Sequence, residues 1–164
     1  MLVPNAACST HFGCQLDISE KAYDKMWDLN VKSQFFLIKE CYDMLMASKA
    51  KPGGAATICV ISSVGGTNPS PSIGVYSMTK AALDNMVKML SKELMPDGIR
   101  ICGIAPGLIR TEFSNPLWNN DSIDSAAIGE AHQIGSVAAT LCSPKDGGFC
   151  NGEIFQIHGG FAKI

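Results

Sequence analysis

The sequence has no surplus of positive charge: thirteen Lys and Arg stand against fifteen Asp and Glu, a formal net charge of -2, and no long run of like charge occurs. Nothing in it is suited to neutralising a phosphate backbone, which argues against nucleic acid as a partner. It also lacks an uninterrupted apolar span. The longest stretch without charge, residues 52–79, is long enough to cross a bilayer, but Gly53, Gly54, Gly65, Gly66, Pro69 and Pro71 break it, so no membrane span is expected. The opening MLVPNAACST has neither the basic flank nor the apolar run of a secretory signal, and the expected address is cytoplasmic. Seven cysteines include no Cys-x-x-Cys pair, and Cys59 and Cys102 sit inside apolar runs. They read as small buried hydrophobes in a reducing compartment rather than as a disulfide framework. His11, His132 and His158 have no ligand spacing with one another or with the cysteines, and no metal site is expected.

What is present is one domain's worth of chain, 164 residues of which 46% are hydrophobic and 17% charged, enough to bury a core. Runs rich in Val and Ile alternate with longer segments of helical period. Leu2-Val3 reads as the end of a first strand, residues 56–61 as a second, 99–104 as a third and 154–157 as a fourth. Near-continuous hydrophobic strands of this kind belong to parallel sheets covered on both faces. Asp17 with Glu20 resembles a capping box opening a helix from about Ser19 to Met46, with a break, ended by Lys51-Pro52-Gly53-Gly54. A second helix is expected from Val75 or Tyr76 to the Pro96-Asp97-Gly98 stop, with Ala82, Met86, Met89 and Leu90 on one face. A third fits residues 130–141. Strand and helix alternation makes this an α/β layered architecture. Two irregular segments, 65–74 and 111–128, each follow a strand's C-terminal end, the edge at which open α/β sheets bind ligands.

Tyr76 and Lys80 are four positions apart, neighbours on one helix face. An ammonium there favours the phenolate and brings a group of reference pKa near 10 toward acid/base work. The same spacing also describes a surface tyrosine beside a solvated lysine. Ser62-Ser63 ends the second strand, and Ser63 lies thirteen residues before Tyr76 across a Gly/Pro loop able to bring both hydroxyls to one strand end. By themselves the two serines are ordinary turn residues.

Together with other short motifs these residues resemble the short-chain dehydrogenase/reductase family. Asn5-Ala6-Ala7, Leu29-Asn30-Val31, Ile61-Ser62-Ser63, Tyr76-x-x-x-Lys80 and the run 105–111 fall in that family's order and spacing, and Gly152-Glu153 with His158-Gly159-Gly160 resembles its last strand and turn. The run 105–113 with Leu117-Trp118 is most similar to the carbonyl and retinal reductase group. The resemblance implies a Rossmann-like doubly wound parallel sheet and hydride transfer between a nicotinamide cofactor and a ketone, aldehyde or secondary alcohol. It implies that Tyr76 donates a proton to the carbonyl oxygen, Lys80 assists it and holds the cofactor ribose, and Ser63 orients the carbonyl. Asn30 then matches the position whose backbone binds a water linking the lysine to solvent. Asn5, Ala6, Ala7, Pro106, Gly107, Ile109 and Thr111 would line the nicotinamide, and Phe113, Leu117 and Trp118 a compact apolar substrate lid. NADPH is the cofactor implied, NADH the alternative, and a dimer or tetramer through the two long helices, with Met86, Met89 and Leu90 as a candidate face, the implied assembly.

The chain departs from the family in two places. Asn5-Ala6-Ala7 is preceded by Pro4 and followed by Cys8 where the usual motif has Asn and Gly, and no Gly-x-Gly-x-x-Gly occurs. That turn normally seats the pyrophosphate on a helix N-terminus. Residues 1–164 are therefore expected to form a single partial domain, the catalytic half of the fold, N-terminally truncated. One alternative is a non-catalytic remnant serving as a structural or interaction subunit, with a partner over the Leu2-Val3 edge. Another is a separate polypeptide that completes the cofactor site. The closing Ala162-Lys163-Ile164 loosely resembles a peroxisomal address, the alternative to a cytoplasmic one.

Overall fold

A computed structural model describes residues 1–118 and 125–160; the Ala162-Lys163-Ile164 tail lies outside them. Three parallel strands form the sheet in the order β1 (Ala56–Ile61), β2 (Ile99–Pro106), β5 (Ile154–Ile157), with Ala56 opposite Ile99 and Gly103 opposite Ile154. Leu2 adds a parallel bridge to Ile58 on the free edge of β1, its N–H donating to the Thr57 carbonyl and its carbonyl accepting from Cys59 N–H. The four strand expectations thus hold, the first reduced to a single bridge. A two-residue parallel pair, β3 (Ile109–Arg110) with β4 (Gly129–Glu130), was not evident in the sequence because it is too short to show a period.

Side chains alternate along each strand, so the two faces have separate cores. Ile58, Val60, Ile99 and Ile101 are 0% exposed and pack with Leu83, Val87, Leu90 and Leu94 of α4 (Gly74–Leu94) and Leu45 of α3 (Tyr42–Lys49). Cys59, Cys102 and Ile104 lie on the other face beneath Leu141 and Cys142 of α6 (Ala131–Cys142). All seven cysteines are free thiols, and burial pushes Cys59 up to about 12 and Cys102 to about 11, with neighbouring thiols adding to the shift. Helices on both faces of a parallel sheet make the fold the α/β layering that the alternation of elements implied and the Rossmann-like form that the resemblance implied.

The long first helix is divided. It runs as α1 (Glu20–Trp27), a π-helical turn (Asp28–Lys32) and α2 (Ser33–Glu40), breaks at Cys41, and ends with α3. Its N-cap is Ser19, whose Oγ accepts from Ala22 N–H at 3.3 Å; Asp17 belongs to a preceding 3-10 turn, and extended Ile18 separates it from the helix. The expected face of α4 also shifts. Met86 and Leu90 are buried, but Met89 is 43% exposed, because the stripe on the sheet is Leu83, Met86, Val87, Leu90 and Leu94. Of the three residues considered for subunit contact, only Met89 therefore remains at the surface. In α6, Glu130 and Gln133 form a capping box that pattern reading had not separated from the helix itself.

Arg100 ties the α6 layer to the sheet. Its guanidinium donates to the Gly147 and Cys150 carbonyls, Thr57 Oγ1 and the Leu141 carbonyl over 2.6–3.1 Å. Leu141 belongs to the last turn of α6, where a cation also offsets the helix dipole. Arg100→Met would leave these acceptors without their donor. We expect a loss of about 2–4 kcal/mol, read by urea denaturation, with the 143–153 segment losing amide protection first. Equal protection in both proteins would contradict the tether.

Candidate active site

The parallel strands all end on one side, and the segments that leave them enclose a cleft of about 920 Å³. Leu2 leads to Asn5, Ala6 and Ala7; β1 leads to Ser62 and Ser63; β2 leads to Pro106, Gly107 and Leu108. The cleft gathers Asn5, Ala6, Ala7, Ser63, Tyr76, Lys80, Pro106, Gly107, Ile109, Thr111, Phe113 and Leu117 into one lining, although they span more than a hundred positions of chain. Asn30 and Trp118 are not in that lining.

Tyr76 and Lys80 come from adjacent turns of α4. Lys80 is 2% exposed, and its Nζ donates to the Ile61 carbonyl, the last of β1, at 2.9 Å and lies 5.5 Å from the Tyr76 ring centroid. An ammonium has three donors, so the remaining ones are free to serve the cleft that Lys80 lines. The Ser62 hydroxyl donates to the Lys80 carbonyl at 3.2 Å, and Ser63 Oγ accepts from Gly65 N–H at 3.1 Å. The serine loop is seated directly on α4 at Gly66, where a Cβ would fall 2.7 Å from Asp84 Oδ2 and 3.1 Å from the Ala81 nitrogen and the Lys80 carbonyl carbon. Only glycine allows that approach.

Burial dominates the electrostatics. It pushes the Tyr76 phenol up to about 12, opposed by the Ser63 hydroxyl, and brings Lys80 down to about 8, opposed by Asp84. The expected lowering of Tyr76 by Lys80 is not what this arrangement produces. The ammonium points at the Ile61 carbonyl, and desolvation acts on both groups toward their neutral forms.

Asn30 sits in the π-helical turn, fully buried, and works from behind the cleft. Its Oδ1 accepts from Cys8 N–H at 2.8 Å, and its Nδ2 donates to the Cys8 carbonyl at 2.9 Å and Thr79 Oγ1 at 3.0 Å. One amide thereby fastens the Asn5–Cys8 segment to α4 a single residue from Lys80. Phe113 is half exposed with its ring 5.9 Å from that of Tyr76. Trp118 instead packs beneath Arg110, 5.0 Å from the guanidinium, and its indole N–H donates to Thr111 and Ser114. It supports the 109–114 turn rather than facing the cleft.

Sequence reading missed Phe12, which lines the cleft, and Gln15, which holds its loop. Gln15 Nε2 donates to the Gly13 and Ser72 carbonyls, and its Oε1 accepts from Val75 N–H at 2.9 Å. Ile73, at the N-cap of α4, has no side chain able to cap. That deficit was a readable sign that a remote acceptor had to supply the bond. No described helix is long and apolar enough to cross a membrane, and no group of three His, Cys, Asp or Glu among the described residues is placed to hold a metal.

Three outcomes follow from this geometry. One lysine should titrate near pH 8, read by heteronuclear NMR of the Nζ groups, and vanish in Lys80→Met. The unfolded chain still holds this proton up to the ordinary value of 10.5, so Lys80 makes stability rise with pH between about 8 and 10.5; Lys80→Met should flatten that rise. Gly66→Val should cost about 1–3 kcal/mol through overpacking against α4, measured by thermal unfolding; an unchanged midpoint would mean the loop is not seated there.

Comparison with known proteins places this site in a family. A family model described as enoyl-(acyl carrier protein) reductase matches residues 1–162. Dehydrogenase/reductase SDR family member 4 of Bos taurus is 36% identical over 98% of this chain, and its Homo sapiens counterpart 33% over 98%; the chain spans 58% of the length of each. A 3-ketoacyl-(acyl-carrier-protein) reductase from Brucella melitensis, solved with NADH, superposes with a TM-score of 0.89 at 24% identity, covering 99% of this chain and 66% of its own. ElxO with NADP bound gives 0.83 at 26% identity, covering 98% and 66%. With a family model matched along nearly its whole length, the chain belongs to the short-chain dehydrogenase/reductase family.

Proposed function

We propose that residues 1–164 are a single partial domain carrying the catalytic half of a nicotinamide-dependent oxidoreductase that interconverts a ketone or aldehyde with its alcohol. The observation that carries this reading is the convergence of Ser63, Tyr76 and Lys80 on one apolar cleft. Relatives solved with NADH or NADP support a nicotinamide cofactor, and NADPH is our preference with NADH as the alternative. The residues present suit its nicotinamide–ribose half. Lys80 has donors not used by Ile61, and the Pro106–Ile109 turn is narrow because a Cβ on Gly107 would fall 2.8 Å from His158 Cβ. No glycine-rich turn for the pyrophosphate occurs in these 164 residues.

When bound, the nicotinamide supplies or accepts hydride. The chain's own part concerns protons and orientation. Tyr76 is the proton donor to the carbonyl oxygen in reduction and the acceptor from the alcohol in the reverse direction. Its high pKa keeps it protonated and ready to donate. Ser63 holds the same oxygen from the opposite side, and Lys80 would hold the ribose. Asn30 keeps the Asn5–Cys8 wall in place and is the position at which a backbone-bound water would connect Lys80 to solvent. Among the described residues Lys80 is the only charged side chain in the lining, which favours an uncharged apolar carbonyl compound as substrate, with Phe113 and Leu117 as its contacts. Trp118 acts through the 109–114 turn.

A second reading, an interaction subunit without turnover, draws on the Leu2 edge, where Met1 and Val3 are 79% and 40% exposed. Exposed Phe36 and Leu37 on α2 and Met89 on α4 favour self-association in either case. A cytoplasmic location is our reading, with peroxisomal import as the alternative.

In the polypeptide that carries these residues, Tyr76→Phe should lower turnover of an aromatic ketone with NADPH about 10²–10⁴-fold while the circular dichroism spectrum stays unchanged. Full turnover in the variant would overturn the assignment. Absence of any fluorescence change when NADPH and NADH are titrated into the wild type would favour the interaction subunit.

A further inference from the structure

Tyr76, Lys80 and Asp84 recur every fourth position of α4 and so share one helix face. The first two belong to the cleft. Asp84 is one turn deeper, 6% exposed, and neither carboxylate oxygen has a hydrogen-bond partner of normal geometry. Gly66 closes over it so tightly that a Cβ there would fall 2.7 Å from Oδ2. A desolvated carboxylate relieved by no more than the nearby Ser62 hydroxyl is costly, and helix packing alone would be served as well by leucine.

We propose that Asp84 is a positioning residue for Lys80, its buried carboxylate holding the neighbouring ammonium in the charged form beneath the floor of the cleft. The charged groups that act on Asp84 are Lys80 and Lys88, one turn to either side on α4; from the β1 end and its loop come only the Ser62 hydroxyl and the Gly66 backbone. Burial raises Asp84, and the Ser62 hydroxyl, Lys88 and Lys80 oppose it in that order; Lys88 is exposed and screened by water, whereas Lys80 is sealed from it, so the coupling in low dielectric is with Lys80. The pair makes no ion-pair contact within 4.0 Å and acts through the field between adjacent turns. The influence is reciprocal: Asp84 raises the proton affinity of Lys80 against burial, and Lys80 lowers that of Asp84 against burial. Among the described residues the only hydrogen-bonding partner of the ammonium is the neutral Ile61 carbonyl. Asp84 is thus the charge that keeps Lys80 an ammonium at neutral pH, a condition the proposed role of Lys80 requires.

The inference rests on that role for its consequence, but its test does not. The Nζ titration of Lys80 is followed by NMR in the wild-type chain, Asp84→Asn and Asp84→Glu. We expect the Lys80 midpoint to fall by on the order of one pH unit in Asp84→Asn and to recover in Asp84→Glu. In active protein the alkaline limb of turnover should move with it, which mere loss of packing would not produce. An unmoved Lys80 midpoint in folded Asp84→Asn overturns the proposal. Should Asp84→Asn not fold, the Asp84 carboxyl is titrated in Lys80→Met: a higher midpoint supports the coupling and an unchanged one refutes it. A shifted Lys80 midpoint in a protein with no turnover would uphold the coupling and count against the catalytic reading alone.

Discussion

Lys80 is a cation almost wholly removed from water at the carboxyl end of the sheet, held by the Ile61 carbonyl. Burial of this kind is unfavourable unless the surroundings are built to receive it. Much of the structure around it answers that need. The terminal carbonyl of β1, that of Ile61, accepts from the ammonium, and the Ser62 hydroxyl donates to the Lys80 backbone carbonyl. Gly66 lets the loop descend onto α4, and Asn30 reaches across from the π-helical turn to fix Thr79, the preceding residue. Replace the lysine by a solvated one and none of these contacts has a reason to coincide.

The cleft above it follows from the topology. Parallel strands place their carboxyl ends together, so three segments far apart in sequence converge without any local signal joining them. Two of the walls are then secured by amide side chains used as clamps, with Gln34 Nε2 adding a bond to the Ala6 carbonyl. Gln15 makes three hydrogen bonds and fastens the Phe12 loop to the start of α4; Asn30 makes three and fastens Asn5–Cys8 to its second turn. Both clamps are amides, able to donate and accept at once, as a hydroxyl or carboxylate could not with the same geometry. The lining between them is mostly apolar, and the hydroxyls of Tyr76 and Ser63 and the ammonium of Lys80 lie in it beside Asn5, Asn68 and further serine and threonine hydroxyls.

Reading the residues in order recovered the strands because each is a nearly unbroken apolar run, and located α4 because its end carries a strong stop signal and α6 by its helical period. Pro96-Asp97-Gly98 ends α4, with Gly98 at φ 67°. It did not recover the short β3–β4 pair, the capping role of Gln15 or the π-helical turn at Asn30, since each depends on a partner remote in the chain. The face of α4 was misjudged at Met89 because methionine's apolarity is the same on either side of a helix; only the position of the sheet distinguishes them. The sense in which Lys80 and Tyr76 influence each other was likewise out of reach. Spacing gives proximity, whereas burial, which decides the direction of both shifts, is a property of the assembled layers.

The residue order by itself determined the alternation of elements, the parallel character of the sheet and the pairing of Tyr76 with Lys80, because hydrophobic period and helical pitch are local properties of the chain. The tertiary structure alone decided that Asn30 and Trp118 lie outside the cleft lining, that Phe12 enters it, and that Asp84 lies sealed beside Lys80. Those outcomes depend on which side chains lose their water when the layers close, and no local pattern carries that information.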